Sequence, residues 1–476
     1  MTQARPALDA AQRAARAFLD SLPHRPVGAT ATLAQLRDAF GGPTPHTMPE
    51  AGEAPEAVIE HLVRAAESGL VATAGPRYFG FVIGGSLPAA LAADWLAAAW
   101  DQNAGLYVGS PAATVAEEVA AAWLLDLLDL PREASVGLVT GCQMANFTCL
   151  AAARHEALRR AGWDVEDQGL TGAPPVHVVA GADAHVTILT SARMLGLGAG
   201  RIKRVEADAQ GRMKPAALRD VLKTCTGPTI ICAQAGDVNT GAFDPFERIA
   251  DAAAGHGPHG AWLHIDGAFG LWARASRALR AQTAGLERAD SWATDAHKWL
   301  NVPYDSGLAI VRHREAHRGA MASTAAYYVM GDGMRREPHE YVPEASRRAR
   351  GFALYAALRS LGRGGVEDLI DRSCALARRM AARLAEAPGV RIVNDVTLNQ
   401  VLVSLDPPAG VARDAFTHAV IERIQAGGVC WLGGTTWEGA AAMRISVSNW
   451  STTEGDVDRS AEAILGAMET ERRESS

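Results

Sequence analysis

The sequence predicts an α/β protein with a mostly parallel sheet at its centre. Three observations carry that prediction. Short apolar runs alternate with helical segments from about residue 115 to residue 312. Residues 1–88 show helix signals and loops. From residue 359 a long helix is followed by short strands and one more helix. Buried strands separated by helices pack as a parallel sheet covered on both faces. A chain of 476 residues is also too long for one ordinary core. The expected organisation is a helical segment over 1–88 that packs on a partner subunit, a large domain over 89–358, and a small α/β domain over 359–476.

The elements follow in order. Residues 9–22 have the spacing of an amphipathic helix. LPHRPVGAT is an extended, proline-marked connection, and EAPEAVIEHLVRAAESGLV is a second helix. AGPRYFGFVIGGSLPAALAADWLAAAW is a glycine-punctuated loop running into an apolar helix. These open helices need a surface to bury against, which points to an obligate homodimer. VAEEVAAAWLLDLLDL is a helix closed by Pro131. The expected strands are VGLVT (136–140), VHVVAG (176–181), RIKRVEA (201–207), TIICAQAG (229–236), AWLHIDGA (261–268), SWATDAH (291–297) and GLAIVR (307–312). The last part reads as the helix GVEDLIDRSCALARRMAARLAEA, the strands VRIVND and QVLVSL, a helix over 412–426, and AAMRISVSNW. Its sheet is expected to be antiparallel.

Composition narrows the function. Hydrophobic residues at 48% and charged residues at 21% describe a soluble globular protein. A net charge of -7 points away from nucleic acid and anionic membrane surfaces. The six cysteines are scattered without a CxxC pair, as reduced thiols of a cytoplasmic protein are. The N-terminal stretch lacks the apolar core and cleavage site of a signal peptide. No apolar run approaches the roughly 20 residues that span a bilayer.

In a parallel sheet, ligands bind beyond the carboxyl ends of the strands. VGLVT is followed by Gly141 and a helix start, where free amides and the helix dipole favour a phosphate. VHVVAGADA is followed by His185. TIICAQAG is followed by the turn residues Asp237, Asn239 and Thr240. Each has a bland reading as strand-end packing or turn chemistry. Asp266 is sharper, because a carboxylate ending a buried strand is costly unless paired. A pyridinium N–H is such a partner, and Gly267 and Ala268 leave a flat surface beside it. Lys298, in TDAHKW, comes one helix and one strand later. Shielding disfavours its charged form and makes the neutral, nucleophilic amine easier to reach. One cofactor uses all of these. Pyridoxal 5'-phosphate needs a lysine for its aldehyde, an acid opposite its ring nitrogen, a backbone cradle for its phosphate and something flat against its ring. Lys298, Asp266, the Gly141 turn, and His185 with Ala268 supply them.

On SPAATVAEE, TGCQMANFTCLAAARH, DAHVTILTSARMLGLG, NTGAFDP, WLHIDGAFG and ADSWATDAHKWLNVPYDSG, the chain resembles the group II pyridoxal-phosphate decarboxylases. These are fold-type I enzymes that include aromatic-L-amino-acid and glutamate decarboxylases. The resemblance spans nearly the whole chain and makes 89–358 the cofactor-binding domain. It implies that Lys298 anchors the cofactor, Asp266 pairs with its ring nitrogen, and His185 and Ala268 flank the ring. It implies that Cys142, Gln143, Ser291 and His297 hold the phosphate, and that a tyrosine on a loop after the lysine, Tyr327 or Tyr328, returns a proton to the product. PEASRRARGF resembles the segment that returns to the partner's site. There are departures. GCQ replaces a GGS or GSAS turn, Asp237 replaces a threonine, Val82 and Ile83 replace a Pro-Thr pair, and Asp295 replaces an asparagine.

The resulting expectation is decarboxylation of an L-amino acid to the amine and CO2. The alternatives are oxidative decarboxylation–deamination to an aldehyde, with peroxide formed, and a non-catalytic homologue. Phe81, Val82, Ile83 and Tyr304 are the expected pocket lining and favour an apolar or aromatic side chain. His313 and His317, four apart, have a metal-like spacing without a third ligand and read better as a solvated helix face, so no metal is expected.

Overall fold

The computed structural model describes residues 4–41, 48, 51–323, 328 and 336–475. Each of the seven expected runs forms a strand: β1 (Ser135–Val139), β2 (His177–Gly181), β3 (Lys203–Val205), β4 (Thr229–Gln234), β5 (Trp262–Asp266), β6 (Ser291–Asp295) and β7 (Gly307–Val311). They form one sheet in the order β1-β7-β6-β5-β4-β2-β3. β3, β2, β4, β5 and β6 run parallel, and β7 runs antiparallel to both neighbours. The reversal follows from the connection. No crossover helix separates β6 from β7, so the chain turns back directly after Lys298. β1, β5, β6 and β7 are buried along their whole length. That is why they read as apolar runs rather than as alternating strands.

The helix Cys142–Arg160 lies on one face of this sheet. Ala145, Ala151, Ala152, Ala153 and Cys149 are buried, which lets the helix axis sit close to the strands. The helices Pro88–Trp100 and Pro111–Leu127 pack with the helix Gly351–Ala385 on the other side. That last helix begins before the expected GVEDL start and carries residues 358 and 359 in its interior. Gly362 interrupts it with φ 60° and ψ −178°. The segment is therefore two helical pieces joined at a glycine, the residue that tolerates positive φ without a Cβ clash.

The second sheet holds β8 (Val390–Ile392), β9 (Gln400–Leu405), β10 (Gly433–Trp437) and β11 (Ala440–Ser446), in the order β10-β11-β9-β8. All its pairs are antiparallel, as expected. The helices Arg413–Gly427 and Glu454–Glu474 close its apolar face. Near the N-terminus stand the helices Ala4–Ser21, Leu33–Ala39 and Pro55–Ala66. Among the described residues, no helix is long and apolar enough to cross a membrane.

Candidate active site

The carboxyl edge of the parallel strands gathers most of the expected residues. β5 ends in Asp266, which is 4% exposed. Its Oδ1 accepts from the Ala268 amide at 3.2 Å and from the Cys142 thiol at 3.4 Å. Its Oδ2 accepts from Asn146 Nδ2 at 3.2 Å. These donors fix the carboxylate without neutralising it.

Asn146 was not singled out in the sequence, and it is the pivot of a buried relay. The indole N–H of Trp262 donates to Ser291 Oγ at 2.9 Å, and that hydroxyl meets His264 Nδ1 at 3.0 Å. His264 Nε2 lies 2.9 Å from Asn146 Oδ1. Only one proton arrangement satisfies every member: His264 neutral, with its proton on Nε2. Burial agrees, pushing the His264 imidazole down to about 4. A histidine neutral in the fold but titrating near 6.5 when unfolded stabilises fully above pH 6.5. That stability is lost as pH falls from about 6.5 toward 4. The expected loss is about 3 kcal/mol. The melting temperature should fall over this window, and His264→Gln should flatten that slope. An unchanged slope would remove His264 from the relay.

The same relay corrects one expectation. Ser291 does not join the phosphate turn. β6 starts at Ser291 and runs parallel to β5, so Ser291 pairs with His264, at the amino side of Asp266. It is fully buried, with its hydroxyl committed to Trp262 and His264.

Lys298 stands on the turn after β6. Its Nζ lies 3.0 Å from Asp295 Oδ2, and its side chain is 20% exposed. Burial pulls this amine down, but the facing groups, Asp295 first, outweigh that and hold it above the usual lysine value. Shielding alone predicts an easily neutralised amine, and the Asp295 carboxylate three residues back reverses that expectation. His297 is buried next to it, 3.4 Å from Asp295 Oδ1, and accepts the Ser306 amide on Nδ1 at 3.1 Å. Its ring stacks on Tyr304, with centroids 4.1 Å apart.

The Gly141 turn faces this group. The helix Cys142–Arg160 starts there without a side-chain cap, so its first amides are left for a ligand. A Cβ on Gly141 would stand 3.1 Å from His297 Cε1, and a Cβ on Gly307 would stand 2.4 Å from Gly141 Cα. Both glycines keep this corner narrow and backbone-lined. Cys142 is buried between Asp266 and the lysine turn, and burial pushes its thiol well up. The Gln143 side chain turns away to donate to Ser191 Oγ at 3.0 Å, leaving its amide as the group at the turn.

His185 caps the helix Val186–Met194. Its Nδ1 accepts the Thr187 amide at 3.4 Å and meets Thr187 Oγ1 at 2.9 Å. The bland capping role and a fixed ring plane are thus the same contact. Burial lowers this imidazole, and the charges of Lys298 and Arg444 add to that. Arg444, on β11, was also not singled out. Burial lowers its guanidinium against the pull of Asp237. Asp237 itself closes its turn by accepting from Asn239, Thr240 and Gln234.

The pocket loop divides. Phe81 is 61% exposed and tilts against Trp431 at 5.5 Å, while Ile83 is half-buried with Tyr78 and Trp431. Val82 is 1% exposed in the main core, so its expected lining role is corrected to packing. A Cβ on Gly84 would stand 1.7 Å from the Lys298 carbonyl oxygen, so the loop sits directly on the lysine turn. Tyr304 is largely exposed at the mouth. Tyr328 meets His339 edge-on at 5.3 Å. Tyr327 lies outside the described residues. The solvated face expected of His313 and His317 is corrected: His317 is fully buried against Ser135 at 2.9 Å, and His313 pairs with Asp290 at 2.9 Å.

A mostly parallel sheet, a buried acid at one strand end, a lysine at the next and an uncapped helix start between them define a fold-type I pyridoxal-phosphate enzyme. Residues 42–406 match the pyridoxal-dependent decarboxylase conserved domain, and the chain belongs to that family. It is a pyridoxal-phosphate-dependent carboxy-lyase acting on an amino acid. It is 30% identical to the L-2,4-diaminobutyrate decarboxylase of Rhizobium meliloti (strain 1021), over 79% of this chain and 74% of that relative. It is 26% identical to the aromatic-L-amino-acid decarboxylase of Bacillus atrophaeus, over 91% and 89%. The structure of Oryza sativa TDC with PLP and tryptamine superposes with a TM-score of 0.90 at 23% identity, over 99% of each chain.

Proposed function

We propose that this enzyme decarboxylates an L-amino acid with an apolar or aromatic side chain to the amine and CO2. The observation that carries the side-chain choice is the pocket loop, where Phe81 and Ile83 pack with Tyr78 and Trp431 just before Gly84, the residue that abuts the Lys298 carbonyl. The relatives' names cover diamino, acidic and aromatic side chains, and this lining argues for the last.

The narrow Gly141–Gly307 corner and the buried Asp266 fit pyridoxal phosphate. When bound, that cofactor supplies the electron sink for the bond that breaks. Lys298 is the anchoring amine. Asp266 holds a proton on the ring nitrogen. His185 and Ala268 set the ring plane, and the Cys142 and Gln143 amides with His297 bind the phosphate. The Arg444 side chain has no ion pair or hydrogen bond among the described residues, which suits it to a substrate carboxylate. A tyrosine that follows the helix Arg314–Met321 in the sequence, Tyr327 or Tyr328, returns the proton.

The exposed Trp95, Leu96 and Trp100 of the helix Pro88–Trp100 support a homodimer, and six unpaired cysteines support a cytoplasmic setting. The test is mass spectrometry of products, with peroxide monitored, after incubating cofactor-loaded protein in air with a broad amino-acid panel. An aromatic or apolar amine without peroxide is expected. An aldehyde with stoichiometric peroxide would move the reaction to the oxidative branch. Amines from acidic or diamino substrates alone would overturn the pocket reading.

A further inference from the structure

We propose that Asp295 is the proton store of Lys298. Its carboxylate pairs with the ammonium at rest and takes one proton from it when the free amine is required. The proposal rests on the reading of Lys298 as the cofactor's anchor.

The geometry singles out Asp295 among the nearby acids. Asp266 is already committed to the Ala268 amide, the Cys142 thiol and Asn146. Asp295 is 2% exposed, and its Oδ2 is 3.0 Å from the lysine nitrogen. Its Oδ1 makes no hydrogen bond among the described residues and lies 3.4 Å from His297 Nε2 and 3.5 Å from where a Cβ on Gly141 would stand. The backbone holds this aim. The Asp295 amide donates to Ala268 O at 2.9 Å, and the Trp272 indole donates to Asp295 O at 2.9 Å.

The chemistry follows from burial. An ammonium and a carboxylate in a shielded corner both lose solvation, so their neutral forms compete with the ion pair. The transfer breaks one Nζ–H bond and makes one Oδ2–H bond. It frees the lysine lone pair and leaves the net charge of the site unchanged. Once Lys298 is no longer a cation, a bare Asp295 carboxylate would be costly, and a protonated one is not. Release of the lysine returns the proton. An asparagine, which the resemblance puts at this position, cannot do this. The charged and titratable groups around the pair are His297 on the same turn, Cys142 from the helix start, Asp266 from β5, and Tyr304 and Asp305 from the segment before β7. The raised Lys298 amine agrees with a paired resting state.

The test reads the lysine itself. The full chain, freed of cofactor, is trace-acetylated with acetic anhydride from neutral to alkaline pH, and peptide mass spectrometry follows Lys298 against the exposed Lys223. In the unaltered protein, Lys298 should label with a midpoint above that of Lys223. A midpoint at or below it would overturn the proposal without any variant. In Asp295→Asn, labelling of Lys298 at neutral pH should rise about tenfold or more, one pH unit of midpoint per tenfold. Asp295→Glu should restore part of the protection. An unchanged midpoint in Asp295→Asn would also overturn it. Borohydride reduction of the loaded protein separates the two readings. Cofactor fixed to a lysine other than Lys298 would sink the anchor assignment, whatever the acetylation shows.

Discussion

Lys298→Ala is expected to lose turnover by a factor on the order of 10⁴–10⁶, together with the absorption band of lysine-bound cofactor. Three features make the effect this large. The amine stands on the turn directly after β6, opposite the uncapped helix start at Cys142, so no other described lysine shares its position. Its side chain is mostly shielded, so water cannot deliver a substitute amine freely. Its ammonium is the nearest cation to Asp295 Oδ2, and the substitution leaves that buried carboxylate unpaired. Breaking one side of a buried pair costs about 3–5 kcal/mol, and less where part of the pair reaches solvent. Some thermal destabilisation should therefore accompany the loss. Stopped assays with a sensitive amine readout, an absorption scan and a melting curve measure the three effects. Parental turnover would end the reading of Lys298 as the anchor.

Much of the large sheet was legible because its strands are buried on both faces. TIICAQ and WLHID stand out as apolar blocks between helices. β10 did not stand out, because Gly433, Gly434, Thr435 and Thr436 give no apolar block. What defines it is its hairpin with β11, turned by Glu438 at φ 49° and Gly439 at φ 80°. The short helix Leu33–Ala39 did leave a signal. Thr32 and Gln35 cap it reciprocally, a T-x-x-Q pattern readable in the sequence.

The rule that ligands gather at carboxyl strand ends located Asp266, His185 and Lys298. Ser291 came from the family resemblance and not from that rule, and it stands at the opposite, amino end of β6, level with His264. Asn146 and Arg444 were not legible for another reason. Asn146 reaches Asp266 across 120 residues of chain, and Arg444 comes from the other sheet. No local pattern announces either contact. The protonation of Lys298 was misread for the same cause. It depends on where the Asp295 side chain points, and sequence spacing alone does not give that.

Asp266 is where local and distant contacts meet, and its two substitutions should separate shape from charge. Asp266→Ala removes the acceptor for the Ala268 amide, the Cys142 thiol and Asn146 Nδ2. Each buried donor left unsatisfied costs about 1–3 kcal/mol. Asn146 would also lose its hold at one end of the relay through His264 and Ser291. That variant should be less stable and should bind cofactor at least about tenfold more weakly. Asp266→Asn keeps the volume and one acceptor oxygen but not the charge. It should fold, and it should still take up cofactor. Its rate should nonetheless fall by about three orders of magnitude, because a neutral amide cannot hold a proton on the ring nitrogen as a carboxylate does. Cofactor titration by absorbance gives the first quantity and kcat gives the second. If Asp266→Asn retained parental kcat, the carboxylate would be only a structural acceptor, and the positive charge that makes the ring an electron sink would have to be held from elsewhere in the site.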